Sequence, residues 1–227
     1  MTVYKTLNQE DKVSTKTLLH EAIPITGSIV SGAYSDDNIQ DFTHGMFQSV
    51  YDYPYLSSSA NHIFDITFGL HSTSGLYTNT SVQKEKKNNI YNQMSQMLVG
   101  YDKEGNIERF DEDGDISSGG EKLKDVIIIP FSRLLVKDEI KKGSFEMTLG
   151  LTGAYATPFG ETATVKDYGA ATSYKVNSPA GEYGILYLSN SAGDTIVKND
   201  PTADSIACGL VYYQAGVAVL TASVFTS

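Results

Sequence analysis

Apolar and polar residues alternate in "NHIFDITFGLH", residues 61–71. Ile63, Asp65 and Thr67 fall on one face of an extended chain and Phe64, Ile66 and Phe68 on the other. That period of two predicts a half-buried strand, and it sets His62 and Asp65 on opposite faces. The period lengthens over 82–98, where Ile90, Met94, Met97 and Leu98 make an apolar stripe at helical spacing. Thr80, with Gln83 three residues on, supplies a capping box, so one amphipathic helix is expected there, docked on a sheet or a partner. Elsewhere the signals are those of strands and turns. "KDVIIIPFSRLLV" and "GSFEMTLGL" read as strands separated by the charged turn "KDEIKKG", and "EYGILYLSNSAGDTIV" as a hairpin turning at 190–193. "EAIPITGSIVSGAY" is extended and near a sheet edge, because Pro24 disfavours helix before it; a short helical start is expected at 14–19. Residues 35–60 keep no period and read as irregular, with a helical turn around Met46, and 152–181 stay unassigned.

The final apolar stretch, "IACGLVYYQAGVAVLTASVF" at 206–225, carries no charged side chain. Its length approaches the roughly 20 residues of a membrane helix. Gln214-Ala215-Gly216 interrupts it, no basic residues flank it, and both halves are β-branched and aromatic. It therefore reads as strands at 210–213 and 217–225 around a three-residue connection whose Gly216 takes the left-handed conformation of a bulged turn. Such a hairpin must be buried, either in the chain's own core or at a subunit contact, and the pattern leaves both open. Gly184, Leu186-Tyr187 and Ala192-Gly193 echo Gly209, Val211-Tyr212 and Ala215-Gly216, as consecutive hairpins of one sheet do. The fold class expected is mainly β with an α+β element: an antiparallel sheet or sandwich with one helix at 82–98. It forms a single β-rich domain over 1–227, with a possible subdivision at the acidic segment 111–121.

Composition narrows the chemistry. Fifteen Tyr, twenty Gly and no Trp suit strands and turns, and a net charge of −10 works against binding a polyanion such as DNA. Cys208 is the lone cysteine, so no intrachain disulfide is expected, and the first residues lack the apolar core of a secretory signal. "DEDGD" invites a calcium loop, but with Asp111 first, Ile116 stands where Gly is needed and Lys122 where Glu is needed. Starting at Asp102 fails likewise at Ile107, which leaves two solvated turns with Gly105 and Gly114 supplying the backbone freedom. His20, His44, His62 and His71 have no zinc spacing, and Ser57-Ser58-Ser59 before His62 lack a nucleophile elbow. No phosphate-cradling glycine loop is present, and Asn79-Thr80-Ser81 reads as a helix start. No cofactor, metal or catalytic set is expected. "FQSVYDYPYL" is aromatic enough to serve either packing or an interface.

"STKTLLHEAIPITGSIVSGAY" near the start, "YDYPYLSSSANHIFDITFG" and "GLVYYQAGVAVLTASVF" at the end together resemble small structural proteins of contractile-tailed bacteriophages of marine and cyanobacterial hosts. The resemblance covers about a third of the chain and includes no catalytic motif. It implies a virion component of the tail, neck or baseplate, made in the bacterial cytoplasm, present in repeated copies and partnered by other virion proteins. Leu210, Tyr212, Tyr213, Val217, Val219 and Phe225, with Tyr53 and Tyr55, are the interface candidates. A receptor- or glycan-binding module using Tyr53 and Tyr55 is the alternative.

Overall fold

The computed structural model describes residues 22–23, 26–27, 38–78, 81–111, 114, 122–131, 138–150, 162–190 and 207–225. The strands are β1 (Ala22–Ile23), β2 (Thr26–Gly27), β3 (Ile39–Asp41), β4 (Gln48–Tyr51), β5 (His62–Leu70), β6 (Asp125–Pro130), β7 (Glu139–Ile140), β8 (Glu146–Gly150), β9 (Thr162–Lys166), β10 (Lys175–Ser178), β11 (Gly181–Asn190), β12 (Ala207–Tyr212) and β13 (Val217–Thr221). Helix α1 spans Val82–Leu98, α2 is a single turn at Ala170–Ser173, and a 3₁₀ turn closes at Ala222–Phe225. The chain is mainly β. Its principal sheet runs β2-β8-β9-β11-β12-β13-β6-β5-β4-β3, with β10 added beside β11, and every pairing in it is antiparallel except β2 on β8.

The middle of this sheet is buried on both faces, which explains its uninterrupted apolar strands. In β6 and β13 the side chains alternate between two cores: Ile129, Ala218 and Leu220 enter one, while Val126, Ile128, Val217 and Val219 enter the other. The second core is capped by α1 through Ile90, Tyr91 and Leu98. The first is enclosed by the sheet itself. Phe131 follows β6 and Phe145 precedes β8, five strands away in the sheet order, a separation of about 24 Å in a flat sheet. Their ring centroids are 5.7 Å apart, so the sheet curls around this core.

Several sequence expectations are met in place. The helix occupies 82–98, and the terminal hairpin turns at Gly216 with φ +63°. Its buried strands place Leu210, Tyr212, Tyr213, Val217 and Val219 inside this chain's own cores, which resolves the choice between core and subunit contact in favour of core. Gly184 and Gly209, which echoed one another in sequence, face Val211 and Leu186 across the β11–β12 ladder. Each is glycine for want of room: a Cβ would lie 2.0 Å from the Tyr213 hydroxyl at Gly184 and 2.0 Å from the Val219 carbonyl at Gly209.

Others are corrected. Within 35–60 the described residues include the β3–β4 hairpin, where no strand is expected from the sequence, and Met46 lies in a bend and not a helical turn, while 42–47 and 52–60 are turns and bends as an irregular reading has it. The hairpin lacks the alternation of a half-buried strand because only part of one face is covered. The unassigned 152–181 region contains β9, α2 and β10. The helix cap is Ser81, whose hydroxyl accepts from the Lys84 amide, and Met97 leaves the stripe to stand 52% exposed while Tyr91 and Ser95 are buried. The expected cap Thr80, the helical start at 14–19, the hairpin arm at 191–197 and most of the acidic segment 111–121 lie outside the described residues.

Candidate functional site

The surface with the most chemistry on offer lies at the opposite end of the sheet from β2. Among the described residues, β3 pairs with β4 alone, so its outer ladder groups are open. The chain leaves β3 through Phe42 and returns through Phe47, and Gly45 at φ +63° closes the turn with its N–H on the Phe42 carbonyl at 2.9 Å. Three rings gather there. Phe42 stacks on His44 at 5.2 Å between centroids, and Phe47 is tilted 5.0 Å from each of them and 39% exposed. Helix α1 fixes the turn from below. Lys86 donates to the His44 carbonyl at 3.0 Å and Lys87 to the Met46 carbonyl at 2.9 Å.

Between this turn and β5 and β6 is a groove of about 400 Å³, lined by Asp41, Phe42, Gly45, Phe47, Gln48, Ile66, Thr67, Phe68, Lys87 and Ile127. Its walls are aliphatic and aromatic. At its base the Lys87 ammonium has carbonyl and hydroxyl acceptors but no carboxylate partner among the described residues. Burial pulls its pKa below the ordinary lysine value. On the rim, Gln48 donates to the Asp41 carboxylate. An apolar groove with a charge at its base and an open strand beside it can seat an extended peptide: ladder bonds at β3, apolar side chains in the groove, and an anionic group on Lys87.

Beside the hairpin, Ser49 donates to Asp65 Oδ1 at 2.6 Å, and His62 Nε2 lies 2.7 Å from the same oxygen. This corrects the expectation that His62 and Asp65 face opposite ways. In the β4–β5 register Val50 opposes Phe64 and Tyr51 opposes His62, so Ile63 is an extra residue, and the bulge turns His62 to the Asp65 side. The serine here binds the carboxylate rather than the imidazole, so this is not a set in which His62 takes the Ser49 proton. Tyr51 covers the imidazole edge-on at 5.3 Å.

A second polar centre lies under the terminal hairpin. Buried Asp167 accepts from the Gly143 amide at 2.7 Å, the Phe145 amide at 3.0 Å and the Tyr213 hydroxyl at 3.0 Å. Burial nonetheless raises its pKa to about 6. Next to it Lys142 pairs with Glu182 at 2.6 Å and Glu139 at 3.2 Å, and its ammonium lies 5.0 Å from the Tyr174 ring centroid and 5.5 Å from that of Tyr213. These contacts tie the 141–145 turn to the sheet, with Glu139 Oε2 the buried oxygen among them that has no hydrogen-bond partner among the described residues.

Of the interface candidates, then, the terminal hairpin residues are interior, and the Phe225 side chain lies outside the described residues. Tyr53 stands 50% exposed, and Tyr55 is half-buried with its ring 6.1 Å from Tyr51. Phe42, Phe47 and Lys87 went unrecognised. The signal for them was weak: Phe42 and Phe47 bracket a glycine turn, and Lys87 sits inside a charge run, "QKEKKNN", that reads as a solvated helix face. Among the described residues, no three His, Cys, Asp or Glu side chains come together as a metal site, and no helix is long and apolar enough to cross a membrane. Asp111 is instead paired with Lys122 at 2.9 Å. No protein-family model, curated protein or solved structure matches this chain.

Proposed function

We propose that this chain is a structural component of a tailed-phage virion, of the tail or baseplate, and that it acts by protein–protein assembly. The observation that carries the reading is the open β3 edge beside the aromatic groove with Lys87 at its base. The sequence resemblance to virion proteins supports the setting. Strand addition at β3 supplies main-chain bonds, and the groove supplies the side-chain selection that an assembly contact needs. Mass spectrometry of purified particles of the parent phage is the direct test, with the chain expected in fixed ratio to the other tail proteins. Phe47→Glu is expected to leave the unfolding free energy within about 0.5 kcal/mol of wild type, as surface changes do, while removing the chain from particles. Incorporation of Phe47→Glu at the wild-type level sinks the β3 contact, and absence of the chain from particles sinks the virion reading.

A receptor- or glycan-binding role is favoured by one feature, the exposure of Tyr53 together with Leu56, which stands 88% exposed. It requires the isolated protein to bind host cells and to lose that binding in the Tyr53→Ala, Tyr55→Ala double variant.

A further inference from the structure

We infer that β1 and β2 form an exchangeable arm, and that β7 and β8, on which they lie, also accept the same arm from a second copy of this chain. The arm is held unlike any other strand. β1 on β7 and β2 on β8 are the parallel pairings among the described strands, and each is two residues long, Ala22–Ile23 opposite Glu139–Ile140 and Thr26–Gly27 opposite Glu146–Met147. By contrast, β8 makes five register pairs with β9 on its inner side. Short ladders at a sheet edge belong to the low end of local stability. What they cover is not dispensable: without β2, the outer N–H and C=O groups of β8 have no ladder partner among the described strands.

The covalent path sharpens the point. β2 and β3 are the two ends of the sheet, and residues 28–37 are all that connects Gly27 to Asn38. Counted from Gly27 in β2 to Ile39 in β3, the fully extended path spans at most about 43 Å, the same as the ten strands from β2 to β3 would span if flat. A flat sheet would demand a fully extended connection, and curling relieves that demand. A second copy whose β8 edge lies near β3 offers the same register without that demand. Exchange of an identical element conserves every pairing and links copies into closed or open assemblies. The inference is independent of the groove at β3: arms can exchange outside a virion, and a virion component can keep its arm in place.

Cysteine pairing in the full chain tests it. Thr26 and Glu146 are register partners, and opposed residues in a ladder are within disulfide reach. Thr26→Cys and Glu146→Cys are made in separate, differently tagged chains, refolded together at high concentration and oxidised. Wild type, whose Cys208 is buried, serves as background. A covalent heterodimer at twice the mass of one chain is the expected result. Closure within a single chain in the double variant, with no heterodimer from the mixed singles, overturns exchange, and so does the absence of any disulfide. Gly27→Pro gives a second readout: the Asp167 amide donates to the Phe145 carbonyl, so the Glu146 backbone groups are the ones that face β2, and in a parallel ladder they bond the residues on either side of Thr26, which makes the Gly27 N–H the arm's donor and leaves β8 intact. The refolded chain is expected to fall from multimer to monomer mass, and a mass unchanged by the substitution overturns the proposal.

Discussion

The hairpin at the end of the chain and the hairpin near its start each turn on a glycine in the left-handed region, which closes a turn of five residues in the first and of four in the second. Gly216 and Gly45 both sit at φ +63° and both donate to a nearby carbonyl at 2.9 Å, of Tyr212 and Phe42 respectively. Their surroundings differ. β12 and β13 have strand neighbours on both sides and a core on each face, whereas β3 has a neighbour on one side among the described residues and its turn opens on a groove. The first sequence is chargeless for that reason, and the second mixes Asp41, Gln48 and exposed rings. Lack of charge in a strand thus records how many of its faces are covered. It does not mark a surface that awaits a partner, and the assembly contact proposed above falls on the mixed sequence.

The largest effects follow from that contrast. Leu210→Ala empties a site with no exposed surface and is expected to cost about 3 kcal/mol. Phe47→Ala, at the open edge, is expected to cost under about 1 kcal/mol. Urea unfolding of the two variants measures both, and comparable losses would break the distinction between covered and open hairpins.

A pH dependence of similar size is expected on the terminal side alone. Asp167 binds Tyr213, and its pKa rises from 3.8 to about 6 on folding. The folded state therefore holds the proton more tightly than the unfolded chain. The contribution is fully present below pH 3.8 and is lost as pH rises through about 6, amounting to about 3 kcal/mol at most. Unfolding measured from pH 4 to 7 is expected to lose that component in Asp167→Asn and to keep it in Phe47→Ala. A slope unchanged in Asp167→Asn sinks the assignment.

The parts of this fold that were legible in the sequence are those where one local rule decides. The 3.6-residue period fixed α1, alternation fixed β5, and a break of three small or polar residues fixed the turn at Gly216. What escaped depends on neighbours far along the chain. β3 and β4 have no strong period because their covering is partial. Ile63 is an extra residue only with respect to β4, so the bulge that joins His62 to Asp65 could not be read from β5 by itself. The groove escaped for the same reason. Phe42 and Phe47 come from one hairpin, Lys87 from a helix, and Ile127 from a strand about 80 positions further along than that hairpin. Asp167 stood in an unassigned stretch, and its donors come from the turn before β8 and the end of β12.

The shared glycine conformation can be tested by itself. Gly45→Ala and Gly216→Ala each force an L residue to positive φ and are each expected to cost about 1 kcal/mol. The Gly45 substitution also meets the end of the Gln83 side chain at 2.9 Å, but that chain is flexible and can move aside. Equal shifts in the unfolding midpoint would confirm that the two glycines differ in setting and not in conformation. A Gly45→Ala variant as stable as wild type breaks the parallel.

The smallest expected effect separates two adjacent hydroxyls at the end of β12. Tyr212 and Tyr213 are both without exposed surface, and they point into different cores. The Tyr213 hydroxyl donates to Asp167, whereas the Tyr212 hydroxyl is buried with no hydrogen-bond partner among the described residues, its ring packed 5.3 Å from Tyr183. Burial raises the pKa of both phenols, so both stay protonated across the ordinary range. Removing a paired buried hydroxyl loses a bond and leaves Asp167 short of a donor, so Tyr213→Phe is expected to cost about 1 kcal/mol. Removing an unpaired one relieves a desolvated dipole, so Tyr212→Phe is expected to be neutral or stabilising by a few tenths of a kcal/mol. Thermal unfolding of the two variants at one pH measures the difference. A loss in Tyr212→Phe as large as that in Tyr213→Phe would mean that the core around α1 supplies the Tyr212 hydroxyl with a partner, and that the two faces of the terminal hairpin are polar to the same degree.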